Sequence, residues 1–226
     1  IQAVPPPIDV LTVAGTDKAP ATAYVGATNV LMYQLTLTAG SNSITVSEID
    51  TEVYSIPGMP TDIETALLYD DVDNDGILDL PGDVLLDSVT VTGIMANFTG
   101  LSIVVNSGTP ENLLVVFDIS SAAPIGNFVG LSLTFNTYII VLPPDTVAPT
   151  NFPLYSDLTE IIGGTITGTV EDTDGNPIEG ANVQLIDTST GNVIDTTTAN
   201  STGDFVFTDV PSDSYTLNAS AAGYEY

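Results

Sequence analysis

Apolar and polar residues alternate along this chain in short runs, and no apolar stripe recurs at the helical spacing of three and four residues. Leu31, Tyr33, Leu35 and Leu37 fall on one face of the run Val30 to Thr38. Ile44 to Asp50, Thr65 to Tyr69, Val84 to Val91, Ile94 to Phe98, Leu101 to Val105 and Leu113 to Ile119 read as further strands, as do Leu131 to Phe135 and Tyr138 to Leu142. The same alternation returns in Ile166, Gly168 and Val170, in Val183 and Leu185, in Phe205 and Phe207, and in Tyr215, Leu217 and Ala219. A period of two buries one face of a strand and wets the other. Turn chemistry separates the later runs: Asp174-Gly175-Asn176-Pro177, Glu179-Gly180, Thr190-Gly191-Asn192, Thr202-Gly203-Asp204 and Pro211-Ser212-Asp213. Gly15 to Val25 and Ser55 to Thr61 read as loops, and the proline-rich Pro143 to Pro153 as the approach to a boundary closed by Gly163-Gly164. The pattern predicts an all-β protein: two tandem antiparallel β-sandwiches, 14–163 and 164–226, after an extended N-terminal segment, 1–13. About seven to nine strands are expected in the first.

Charge narrows what such a scaffold can do. One Lys (Lys18), no Arg and no His stand against 29 acidic residues, for a net charge of −28. Nothing can neutralise phosphates, which excludes nucleic acid, and docking to an anionic membrane surface fails for the same reason. Charged residues are still only 13% and mean hydropathy is +0.32, so Ser, Thr and Asn must supply much of the wetted surface. That surface suits an extracellular, glycosylated protein. There are no cysteines, hence no disulfides or thiolate sites. No apolar run is long enough to span a membrane as a helix.

Gly168-Thr169-Val170-Glu171-Asp172, Gly175-Asn176-Pro177-Ile178-Glu179-Gly180-Ala181-Asn182-Val183, Thr202-Gly203-Asp204-Phe205-Val206-Phe207, Tyr215-Thr216-Leu217 and Gly223-Tyr224 form a spaced set. With these residues 164–226 resembles the carboxypeptidase regulatory-like domain, a transthyretin-like sandwich related to the Cna B-type repeats of surface proteins. In that family the module is a non-catalytic companion. The family adds a strand after the Gly-Tyr pair, where this chain has only Glu225 and Tyr226. The resemblance therefore implies a last strand supplied from elsewhere, or by a longer chain. Cna B-type relatives often carry a Lys–Asn isopeptide bond, and 164–226 has no Lys to form one. Gly26 to Leu31, Leu68-Tyr69-Asp70-Asp71, Gly82-Asp83 and Asn112 to Ile119 carry a looser likeness of the first part to Ig-like sandwich repeats of prokaryotic surface and S-layer-type proteins.

Without His or Cys, the Ser-His-Asp triad, the Cys-His pair and His-ligated zinc are unavailable. Carboxylate pairs occur only in turns and one acidic loop, so a non-enzymatic protein is expected. In that loop Asp71, Asp73 and Asp75 take the first, third and fifth places of a calcium loop, Gly76 the sixth and Asp79 the ninth, with the carbonyl of Ile77 at the seventh. Position twelve is Gly82 rather than Glu, and Asp83 follows it as the substitute ligand. Four carboxylates so close repel one another unless a cation sits among them. The expectation is a structural calcium site that stiffens the first domain. Asp172, Asp174 and Asn176 are instead read as a hairpin turn. The sequons Asn97-Phe98-Thr99, Asn200-Ser201-Thr202 and Asn218-Ala219-Ser220 mark Asn97, Asn200 and Asn218 as glycan acceptors.

These readings converge on a subunit of an extracellular, pilus-like surface filament, a homopolymer built by head-to-tail donation of a strand. The donor is the N-terminal segment, apolar and stiffened by Pro5 to Pro7. The residues expected at the joint are Ile1, Val4, Ile8, Val10, Tyr224 and Tyr226. Ile8 to Val13 can alternatively be the first domain's own strand. The alternative function is a non-catalytic adhesin, stalk or S-layer module that binds carbohydrate or a neighbouring surface protein.

Overall fold

A computed structural model describes residues 7–58, 60–211 and 213–223. The chain forms two compact units, 1–161 and 162–226. Among the described residues regular structure is strand, apart from 3-10 turns at Pro60–Asp62 and Asn136–Tyr138.

The first unit is a sandwich of a six-stranded and a seven-stranded sheet. In chain order its strands are β1 (Val10–Asp17), β2 (Thr22–Tyr24), β3 (Val30–Ala39), β4 (Ile44–Ile56), β5 (Ile63–Asp70), β6 (Val84–Thr90), β7 (Met95–Val105), β8 (Glu111–Ile119), β9 (Phe128–Leu133), β10 (Ile139–Val141), β11 (Thr146–Val147), β12 (Leu154–Tyr155) and β13 (Thr159–Ile162). One sheet runs β11-β1-β3-β8-β5-β6. The other runs β10-β4-β9-β13-β2, with β7 on β4 and β12 on β9. The inner faces pack Leu11, Leu35, Leu37, Ile44, Ile49, Phe98, Leu113, Val115 and Phe117 into one core.

Four expectations change here. Gly15 to Asp17 is not loop but the end of β1, paired with β3 as far as Asp17↔Tyr33. Gly15 is tolerated there because the Tyr33 ring covers it, 2.3 Å from where a Cβ would stand. Thr22 to Tyr24 is also strand. Met95 to Val105 is one strand rather than two, because Gly100 takes φ +69° and lets the ladder continue past an irregularity. Pro143 to Pro153 is no approach to a boundary. β11 within it lies parallel to β1, with Val10↔Thr146 and Leu11↔Val147 paired. These return strands bring the first sandwich to thirteen, above the number expected from a simple Ig-like pattern.

β8 is buried on both faces. Leu113, Val115 and Phe117 enter the main core, while Leu114 and Val116 join Leu67 and Tyr69 in a second cluster on the other side of the sheet. Leu31 and Leu78 pack against that second cluster. Leu78 belongs to the acidic loop between β5 and β6, so this loop covers apolar surface as well as carrying charge.

The second unit is a smaller sandwich. Its strands are β14 (Gly164–Thr169), β15 (Asn182–Asp187), β16 (Val193–Thr198), β17 (Asp204–Val210) and β18 (Tyr215–Ser220). One sheet is β14-β17 and the other β16-β15-β18. Val183, Leu185, Phe205, Phe207 and Val210 form its core, with Ile166, Val170, Tyr215 and Ala219 packed against it. Asp172 accepts from the amides of Asp174 and Asn176, each at 2.9 Å, the geometry of a side-chain-capped turn.

Candidate functional site

The acidic loop joins two antiparallel neighbours, β5 and β6. Positive φ at Asn74 (62°) and Gly76 (74°) curls it back on itself. Asp71 and Asp83 are buried, whereas Asp73, Asp75 and Asp79 are exposed. Asp71 accepts from the amides of Gly76 at 3.0 Å and Asp75 at 3.2 Å, and from Nε2 of Gln34 at 3.1 Å. Asp83 accepts from the amides of Asp79 at 2.8 Å and Val72 at 3.2 Å. Burial pushes the Asp71 carboxyl above its ordinary pKa, the Gly76 amide opposes this, and the neighbouring Asp83 charge adds to the rise.

Two triads result. Carboxylate oxygens of Asp71, Asp73 and Asp83 lie within 4.8 Å of one another, and so do those of Asp73, Asp75 and Asp79. Calcium bonds oxygen at about 2.3–2.6 Å, so ligands on opposite sides of one ion stand roughly 5 Å apart. Five of the six residues expected at the metal are thus drawn together, with Asp73 common to both groups. Ile77 is in the same turn: its amide donates to Asp75 at 2.7 Å, and its side chain is exposed.

Sequence reasoning missed the supports of this loop. Gln34 on β3 holds Asp71. Asn112 on β8 donates to Asn74 at 3.0 Å and accepts from Thr36 at 2.7 Å. No local signal marks Gln34 or Asn112, because their partners lie 37 and 38 residues away.

A second feature lies in the smaller unit. In an antiparallel pair, residues directly opposite share one face of the sheet. Leu217 on β18 stands opposite Leu185 on β15, yet Leu185 is 1% exposed and Leu217 44%. In the facing sheet, Ile166 of β14 stands opposite Phe207 and is only half-buried, while Phe207 is 1% exposed. The outer strand on the remaining side, β16, turns Asp195 and Thr197 toward the core face and needs no cover. Among the described residues β14 and β17 pair only with each other. Among the described residues, therefore, nothing covers the apolar interior along the flank made by β14 and β18.

At the other end of the chain, β1 begins at Val10, with Leu11 and Val13 fully buried in the first unit. Residues 10–13 are thus strand within their own sandwich, which shortens the free N-terminal segment expected over 1–13. Asp9 fixes the point of departure. Its carboxylate accepts from the amides of Asn42 at 2.6 Å and Val10 at 2.9 Å, and its own amide donates to Asp145 at 2.9 Å. Ile8 is 67% exposed and Val10 43%. Ile1, Val4, Tyr224 and Tyr226 lie outside the described residues. Asn97, Asn200 and Asn218 are all exposed. No helix among the described residues is long and apolar enough to cross a membrane.

Residues 165–226 match the family model of the carboxypeptidase regulatory-like domain. No curated protein matches the chain in sequence. Among solved structures, the chain is similar to a variant of the major pilin subunit of Bacillus cereus, at 13% identity and TM-score 0.34, covering 93% of this chain and 58% of that one. It is similar to the T6 backbone pilin of Streptococcus pyogenes at 14% identity and TM-score 0.31, covering 96% of this chain and 50% of that one. An Escherichia coli alpha-2-macroglobulin fragment matches at 10% identity and TM-score 0.22, covering 96% of this chain and 94% of that one. The chain spans about half the length of these pilins.

Proposed function

We propose that this protein is a non-enzymatic structural subunit of an extracellular filament, joined to its neighbours by addition of a β-strand to the smaller sandwich. The uncovered flank carries this reading: Leu217 is exposed on the same face where Leu185 is buried. A strand added to the free edge of β14 would give three strands facing three and cover Leu217 and Ile166. It would also satisfy the unpaired backbone groups of that edge. The donor in this reading is the segment before Asp9 of a second copy. It contains Ile1, Val4, Pro5 to Pro7 and Ile8, and no charged side chain. Asp9 anchors its base, so the segment leaves the first unit at a defined point. Head-to-tail donation makes an open filament unless the rotation between copies happens to close a ring.

In the same reading the acidic loop is a calcium clamp. Asp71, Asp73, Asp75, Asp79 and Asp83 would supply carboxylate oxygens and Ile77 its carbonyl. The ion would remove the mutual repulsion of the carboxylates and hold Leu78 against Leu67, Tyr69, Leu114 and Val116. Its role is mechanical, since a fibre subunit transmits tension through its folded domains.

Deletion of residues 1–7, read by electron microscopy and light scattering, tests the assembly. The shortened chain should keep its sandwiches and stay monomeric, and a peptide of residues 1–8 should bind it. Fibres formed by the shortened chain, or a flank that residues 1–8 do not occupy, would exclude this donor.

A further inference from the structure

The three sequons are chemically alike but structurally unequal. N-glycosylation needs a sequon in a surface loop whose backbone an external enzyme can reach. Asn97 lies in the interior of β7, paired with Asp50, and its Nδ2 donates to the Asp50 carboxylate at 2.6 Å. The amide of Thr99, in the same sequon, donates to Asp87 at 3.0 Å. Asn218 lies within β18, paired with Gln184, and its Nδ2 donates to Gln184 at 3.4 Å. Both sequons are extended and tied into ladders.

Asn200 is different. It sits in the turn between β16 and β17, and the turn is built from its own side chain. Oδ1 accepts from the amides of Thr202 and Asp204, each at 2.9 Å, and competes at 2.7 Å with the Asp204 carboxylate, at 2.6 Å, for the single proton of the Thr202 hydroxyl. Main-chain bonds close the turn, Asn200 N to the Asp204 carbonyl and Gly203 N to the Asn200 carbonyl, both 2.9 Å. With two amide donors on the carbonyl oxygen, the carboxamide plane is fixed. Nδ2 is tied into no strand ladder; its neighbour is the Asp204 carboxylate, which the Thr202 and Thr169 side chains, and with them the Asn200 side chain, hold below its ordinary pKa. Beside it runs an open groove of about 470 Å³, bordered by the hydroxyl side chains of Thr167, Thr169, Thr197 and Thr198 and by Asp204. Such a rim offers donors and acceptors to the hydroxyls of a first sugar.

We propose that Asn200 is the N-glycan acceptor of this protein and that Asn97 and Asn218 are left bare. The donor class is a lipid-linked oligosaccharide phosphate or pyrophosphate, delivered by a separate transferase. Asn200 Nδ2 attacks the anomeric carbon and forms the C–N bond. The bond from that carbon to the phosphate oxygen breaks, the lipid phosphate leaves with the electron pair, and the Nδ2 proton passes to a base of the transferase. The hydrogen bond from the Thr202 amide to Oδ1 favours the polarised carboxamide, in which the nitrogen gives up a proton more readily. This proposal stands apart from how the β14 flank is completed.

The test uses protein purified from its own source, digested before aspartate. Cleavage at Asp195 and Asp204 releases the peptide Asp195–Gly203, which contains Asn200 and no other sequon. The expected result is a mass increment of whole sugar residues on this peptide, placed on Asn200 by fragmentation, with the peptides holding Asn97 and Asn218 at bare mass. Asn200→Gln should remove the increment, and so should Thr202→Val, which leaves the asparagine in place. A bare Asp195–Gly203 peptide, sugar on Thr196 to Thr198 instead, or sugar also on Asn97 or Asn218 would overturn the proposal. An intact mass of 23.4 kDa, that of the unmodified chain, would do so at once.

Discussion

The ammonium of Lys18 lies over Gly76, with Nζ 2.6 Å from where a Cβ on that glycine would stand and Gln34 Oε1 at 2.8 Å from the same point. Lys18 is the chain's single basic side chain. It sits at the acidic loop, beside the glutamine that holds Asp71. A fixed cation there reduces repulsion among the carboxylates and opposes the arrival of a second one. Lys18→Met should therefore lower the melting temperature in chelator and tighten calcium binding roughly two- to fivefold, the scale of one partly screened charge interaction. Calorimetric titration with calcium checks the second effect. Unchanged affinity would place the ion out of reach of Lys18.

Removal of calcium should loosen the first sandwich. At a hundredfold excess over its dissociation constant, an ion bound only by the folded state adds about 2.7 kcal/mol, or roughly 5–10 °C in a domain this size. EDTA should cost that much, and Asp73→Ala combined with Asp75→Ala should abolish the difference. Because Leu78 rides on the loop, chelation should also raise hydrogen exchange in β5 and β8 at Leu67, Tyr69, Leu114 and Val116. Equal melting with and without EDTA would reduce the loop to a solvated turn.

Leu217→Ser should leave the smaller sandwich folded, because the side chain is already 44% exposed. The same change should weaken assembly, since an incoming strand would then bury a hydroxyl in place of a leucine. Leu185→Ser, its opposite number at 1% exposure, should instead unfold the unit, at about 2–5 kcal/mol for a buried large-to-small change. Sedimentation separates assembly from folding. Normal assembly by Leu217→Ser would move the joint elsewhere.

Amides of Asn42 and Val10 hold the Asp9 carboxyl below its ordinary pKa. A carboxylate lowered by folding contributes stability that is present above its unfolded pKa, near 3.9, and lost as pH falls through the lower folded value. Asp9→Asn should therefore be less stable than wild type at pH 6, and the gap should close below about pH 4. Urea midpoints for both proteins across that range check the sign. A gap that stays constant would assign the loss to packing rather than charge.

Much of this architecture was legible in the sequence because it depends on neighbours along the chain. A period of two requires strands, as in Leu31, Tyr33, Leu35 and Leu37, and Asp-Gly-Asn-Pro requires a turn. The Asp71 to Asp79 spacing brings its oxygens together through local turns, so the acidic loop could be recognised without the fold. The regulatory-like module was legible for the same reason: its glycines and apolar pairs are spaced by turn geometry.

What the sequence could not contain was the outcome of long-range pairing. Residues 143–153 read as the approach to a boundary until β11 is seen beside β1, an alignment also marked by the Asp9–Asp145 bond across 136 positions. Gln34 and Asn112 become supports of the loop only once β3 and β8 are neighbours. Leu185 and Leu217 have the same side chain in the same alternating pattern, and only the stacking of one sheet on the other leaves one dry and the other wet. Alternation specifies that a face is apolar; how much of that face is covered depends on which strands, distant in the chain, come to lie across it.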